Sequence, residues 1–166
     1  EPPEPDAATI TFDTFPDGTP ITTDRILNGD EFQSAGILLA GAPQGSYCAE
    51  ATATKILVPP HHVSIDFTFL SSSRPDELSG CDGVPVEITF TEPVVEVELR
   101  FAGASTTYTM DVYDSAGNLI QTVNKEAVYG GGTAVIGAGS TAGNIKRVVF
   151  GKQASITAIQ QIWYKR

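Results

Sequence analysis

Apolar residues recur at every second position through much of this chain. In 63–69, read Val-Ser-Ile-Asp-Phe-Thr-Phe, every odd place is apolar. Val84, Val86, Ile88 and Phe90 repeat the pattern. Val95, Val97, Leu99 and Phe101 alternate with Glu96, Glu98 and Arg100. A period of two marks a strand with one buried and one wet face. Shorter runs predict further strands at Ala8–Asp13, Ile37–Ala40, Thr52–Val58, Thr106–Tyr113, Leu119–Val123, Thr133–Ile136, Ile145–Phe150 and Ser155–Tyr164.

Breakers separate these runs. Pro59-Pro60 ends one strand and Glu92-Pro93 interrupts another. Asp114 to Asn118 reads as a hairpin loop with Gly117 at its tip. Asp30 to Gly36 is expected to form one helical turn, with Asp30 as N-cap and Gly36 as the left-handed stop. The stretch 14–29 reads as a long connection, Ser71 to Gly83 as a polar loop, and Tyr129 to Gly132 as a flexible loop. No amphipathic helix of ordinary length is present. Many short strands at this spacing predict an all-β antiparallel sandwich or barrel. Residues 8–166 form a single domain in this reading. Residues 1–7, Glu-Pro-Pro-Glu-Pro-Asp-Ala, are read as the remnant of a linker in a larger multidomain chain.

Charge narrows the partners. Lys and Arg number 10 against 20 Asp and Glu, a net charge of -10. Such a surface repels phosphate backbones and anionic lipid. No apolar run approaches the roughly 20 residues of a membrane helix. Nucleic acid and membrane insertion are therefore not expected. The two cysteines, Cys48 and Cys81, sit in turn-like sequence rather than in apolar runs. They predict a disulfide between two loops and an oxidising compartment, against the alternative of two free thiols.

A resemblance covers nearly the whole chain. Phe12-Asp13, Pro16-Asp17-Gly18-Thr19-Pro20-Ile21, Glu31-Phe32 and Gly36-Ile37 open it. Val112-Tyr113-Asp114 to Asn118 and Ile145-Lys146-Arg147-Val148-Val149-Phe150 continue it, and 156–164 close it. These segments resemble secreted bacterial jelly-roll domains of the galactose-binding-like type, a fold shared by many carbohydrate-binding modules. The resemblance implies a structural calcium and a glycan or cell-surface partner. One departure stands out: members of the group often carry Asp after the Ile of the last strand, whereas Ile159 is followed by Gln160-Gln161.

The chemistry of 10–40 bears on that calcium. Asp13, Asp17, Asp24, Asp30 and Glu31 crowd one connection and only Arg25 opposes them. Calcium takes roughly six to eight oxygens from carboxylates, carbonyls and water. The expected ligand set is Asp13, Asp17, Asp30 and Glu31, with the Gln160 amide from the last strand. The alternative is that Asp13 and Asp17 cap turns.

Catalytic signals are weak. His61 and His62 are adjacent and point to opposite sides of an extended chain, so they do not pair on one metal. Glu96 and Glu98 share the wet face of one strand. Sugar recognition asks for aromatic platforms beside polar partners. The candidates are Tyr47, Arg74, Tyr129 and Asn144, while the lone Trp163 is read as packing at the end of the last strand. The expectation is a non-catalytic extracellular carbohydrate-binding or surface-recognition module, monomeric as an isolated unit. A spacer domain without a small ligand is the alternative, and a sandwich-fold hydrolase or lyase stands behind both.

Overall fold

The computed structural model describes residues 7–61, 65–104, 106–127, 132–152 and 156–166. Twelve strands run through them: β1 (Ala7–Thr11), β2 (Arg25–Leu27), β3 (Ile37–Gly41), β4 (Ala53–Leu57), β5 (Phe69–Ser73), β6 (Val86–Val94), β7 (Glu96–Ala102), β8 (Thr106–Tyr113), β9 (Leu119–Ala127), β10 (Ala134–Gly139), β11 (Ile145–Lys152) and β12 (Ala158–Lys165). Seven make one sheet, ordered β10-β7-β12-β5-β4-β2, with β1 also paired to β12. Five make the other, ordered β3-β6-β11-β8-β9. Every pairing is antiparallel. The architecture is an antiparallel β-sandwich, and its strand order is compatible with a jelly roll. Among the described residues no helix is long and apolar enough to cross a membrane.

The period-two pattern sets the buried faces. In β7, Val97, Leu99 and Phe101 are fully buried while Glu98 and Arg100 face water. In β8, Tyr108, Met110 and Val112 are buried in the same alternation. The two inner faces meet in one core. Phe101 lies 4.9 Å from both Tyr108 and Phe150, ring centre to ring centre. Tyr108 donates to the Ile156 carbonyl at 2.6 Å and accepts from the Ala104 N–H at 3.2 Å. Burial raises the pKa of its phenol.

The N-terminal excursion packs by its aromatics. Phe12 meets Phe32 edge-on at 5.3 Å, and Phe15 lies 5.8 Å from Phe32. Arg25 sits over the Phe15 ring at 4.7 Å. Between them Thr14 bridges to Pro20, and a turn brings the Gly18 N–H to the Phe15 carbonyl.

Several elements differ from the sequence reading. β1 begins at Ala7, paired with Lys165, so Ala7 belongs to the sheet; residues 1–6 lie outside the described residues. The long connection contains β2, which pairs with β4. Glu92-Pro93 does not end its strand. It falls where the β6–β11 ladder loses register between Val94 and Thr89, and there a residue without an N–H costs no ladder bond. Gln33–Ala35 is a short 3-10 turn stopped by Gly36 at φ 96°, as expected. Asp30 is not its side-chain cap, however; the Asp30 main-chain carbonyl accepts the Gln33 N–H.

The largest correction concerns the stretch expected as a strand over 63–69. Val63 and Ser64 lie outside the described residues, and the strand is Phe69–Ser73, buried on both faces. Its serines stay dry because their hydroxyls are used. Ser72 donates to the Val84 and Pro85 carbonyls on the inner side. Ser73 Oγ lies at 2.7 Å from the Arg74 carbonyl and 3.2 Å from that of Glu77. A polar strand reads as loop in sequence, but here a covering loop satisfies it.

Phe101→Ala removes the ring shared by Tyr108 and Phe150. We expect a loss of about 3–5 kcal/mol in urea unfolding, the range for buried Phe truncations. A loss under about 1 kcal/mol would show that this cluster is not the packed centre.

Candidate functional site

The expected metal ligands each have a local role. Glu31 accepts two main-chain N–H groups, from Asn28 at 2.7 Å and Gly29 at 2.8 Å. Asp17 accepts the Thr19 N–H at 2.9 Å, which lowers its pKa. The Asp13 side chain is exposed, and its carbonyl accepts the Ile21 N–H at 2.7 Å. Asp30 is exposed as well. Gln160 is half-buried on β12, at the register shift between Ile159 and Gln161. Among the described residues, no group of three or more His, Cys, Asp or Glu side chains converges to hold an ion. Asp17 and Glu31 close their turns by accepting N–H groups, a role that needs no metal.

The disulfide expectation holds. Cys48 and Cys81 are bonded, with 5.7 Å between their Cα atoms. The bond ties 42–52 to 74–85 over a small apolar cluster of Ala51, Cys81 and Val84. Arg74, expected at a ligand site, instead reinforces this tie. Its Nε bonds the Glu50 carboxylate at 2.6 Å, and its Nη1 reaches the Ser79 carbonyl at 3.1 Å and Glu77 at 3.6 Å. The bond to Arg74 lowers the pKa of Glu50. That contribution is present above the ordinary glutamate range and is lost only as pH falls through the depressed value.

Of the other expected ligand residues, Tyr47 and Asn144 lie apart. Tyr47 is largely exposed beside the disulfide. Asn144 lies in the β10–β11 turn, where its Oδ1 accepts from Ser140 Oγ at 2.5 Å. Strand β11 runs from Ile145, opposite Val94, to Phe150, opposite Val86, so Asn144 sits at the end of the sheet away from Val86 and the disulfide loops. Tyr129 and His62 lie outside the described residues.

What the tethered loop does cover is the outer face of β4 and β5. Lys55 stands opposite Ser71, and Leu57 opposite Phe69. Lys55 is 1% exposed. Its ammonium donates to the Leu78 carbonyl at 2.5 Å and the Gly80 carbonyl at 2.9 Å. Asp82 Oδ1 lies 2.5 Å from the same nitrogen, out of line for a formed hydrogen bond, so this third contact is a close ion pair. All three oxygens flank Cys81. The disulfide thus places the acceptors that make a buried charge tolerable.

Beside this ion pair opens a cleft of about 310 Å³. Leu57, Pro60, Phe69 and Ile156 give it apolar walls, and Asp24, Lys55, His61 and Asp82 give it polar ones. The His61 ring lies 4.8 Å from Phe69, inclined by 52°. Its Nε2 is 2.9 Å from the Phe67 carbonyl. A carbonyl only accepts, so Nε2 carries the hydrogen and Nδ1 of the neutral ring is an acceptor. Asp24 reaches across from before β2 to accept the Val58 N–H at 2.7 Å through Oδ1.

Of these residues, the sequence points to His61 only as a neighbour of His62, and it does not single out Lys55 or Phe69 as site residues. A lone Lys between Thr54 and Ile56 in a strand-like run was the available signal. No protein-family model matches the chain, and no curated protein shows significant similarity to it.

Lys55→Met keeps the length of the side chain and removes the charge. It leaves the Leu78 and Gly80 carbonyls and Asp82 Oδ1 without their cation. We expect a loss of about 2–4 kcal/mol, below the fully buried extreme because Asp82 is partly exposed. Chemical denaturation of the oxidised protein measures it. An unchanged midpoint would mean that water replaces the ammonium at no cost.

Proposed function

We propose that this domain is a non-catalytic extracellular carbohydrate-binding or surface-recognition module, and that the cleft over β4 and β5 is its glycan site. One observation carries the reading: an apolar, partly aromatic floor is bordered by carboxylates inside a cleft the size of a small-ligand pocket. Sugar rings present C–H faces that pack on such a floor, and their hydroxyls donate to carboxylate oxygens. The wall is cross-linked by Cys48–Cys81 and Arg74–Glu50, so little ordering is left to be done on binding. The disulfide suits an oxidising compartment, in keeping with secretion. The sandwich is also compatible with the galactose-binding-like jelly roll that the sequence resembles.

A short-glycan array followed by calorimetry tests this. His61→Ala strips one side of the cleft and is expected to weaken the best ligand at least about tenfold, as a polar and stacking contact are lost together. Leu119→Ser, on an exposed residue of the other sheet, should leave affinity unchanged. If no glycan binds, the spacer reading takes its place.

Structural calcium stays a proposal within the same reading. Asp13 and Asp30 make no side-chain hydrogen bond among the described residues, so their carboxylates are the ones left to meet an ion. If calcium is held, EDTA lowers the melting temperature and added calcium restores it, by linkage. A melt that ignores both removes the ion and leaves the cleft.

A further inference from the structure

We infer that the cleft selects sugars bearing a free ammonium group, 2-amino-2-deoxyhexoses, over uronates and sulfated sugars, a conclusion that rests on the cleft being the glycan site. The polar groups of the cleft divide unevenly between donors and acceptors. Lys55 supplies the one full positive charge among the described lining residues, and it is turned inward: it is 1% exposed and its nitrogen is surrounded by the Leu78 and Gly80 carbonyls and Asp82 Oδ1. Two of its protons go to the carbonyls and Asp82 Oδ1 faces the third, so the buried ammonium is closed off from a ligand anion. The His61 Nε2–H is likewise given to the Phe67 carbonyl.

The acceptors, by contrast, have spare capacity. Asp24 uses one oxygen on the Val58 N–H, and Asp82 directs Oδ1 at Lys55 while its side chain stays 36% exposed. The second oxygen of each carboxylate has no hydrogen bond among the described residues. Among the described lining residues two carboxylates stand against one ammonium, a negative balance. An approaching carboxylate or sulfate meets repulsion without a donor to offset it. An ammonium meets the free acceptor oxygens of two carboxylates. The chain's overall charge of -10 acts in the same direction at long range.

The test is calorimetric titration of the oxidised domain with four matched ligands in the gluco and galacto series: hexosamine, hexose, N-acetylhexosamine and hexuronate. The hexosamine is expected to bind about fivefold or more tightly than the hexose, with the advantage shrinking as salt is raised. N-acetylation removes the charge and should abolish that advantage, and the hexuronate should bind weakest. Asp24→Asn keeps an oxygen for the Val58 N–H and should narrow the hexosamine-to-hexose ratio. Hexose and hexosamine of equal affinity, or a hexuronate that binds as well as either, would overturn the ammonium preference while leaving a sugar site. Failure of every sugar to bind would remove the glycan reading and this one with it.

Discussion

A single buried ammonium organises one side of this molecule. Lys55 sits in the middle of β4, where burial of a lone charge would cost several kcal/mol. The loop over it has the converse problem: main-chain carbonyls at Leu78 and Gly80 are turned towards protein, away from water. Each solves the other, with the Asp82 carboxylate completing the set. The covering loop has little apolar surface of its own, only Cys81 and Val84 against Ala51. It is held by charge, by hydrogen bonds and by one covalent bond instead of by a second hydrophobic layer. The cleft opens where that polar clamp stops short of Leu57, which stays half-buried, while Phe69 is covered beneath it.

This division explains which parts of the fold were legible. β7 and β8 could be read directly because one side of each faces the core and the other faces water. β5 could not. Its partner on the outside is a loop, so both faces are buried and the period-two signal vanishes. What remains is Ser71-Ser72-Ser73, a run that suggests exposure until one sees the carbonyls waiting for its hydroxyls. The Glu92-Pro93 break was misread for a related reason. A proline forbids a ladder bond only where there is a ladder, and the irregularity between β6 and β11 provides a gap.

The candidate cleft was not legible in the sequence. An oxygen-lined cation was expected at 13–31, where the acidic residues crowd. Among the described residues those carboxylates do not converge, and two of them, Asp17 and Glu31, close turns by accepting N–H groups. The oxygens that do converge surround Lys55, a cation supplied by the chain itself. Composition cannot reveal this, since two of the ligands are main-chain carbonyls that any residue could carry. The cysteines were legible because their turn-like neighbours place them on loops. Arg74 was expected beside a ligand, but in the loop tied by the disulfide its guanidinium is bonded to Glu50.

On the proposed reading of the cleft as a sugar site, the inward turn of Lys55 also bears on what it would recognise. Were its acceptors absent, the ammonium would be free to meet an anion, and the cleft would carry the opposite preference. Because Leu78, Gly80 and Asp82 take up that charge, the surface left to a ligand is apolar at its base and acceptor-rich above. The same three residues would therefore fix both the stability of the wall and the sign of the proposed site. Those two properties cannot be varied independently: a substitution that frees Lys55 to bind an anion must also orphan two carbonyls beside Cys81, and the wall loosens as the selectivity inverts.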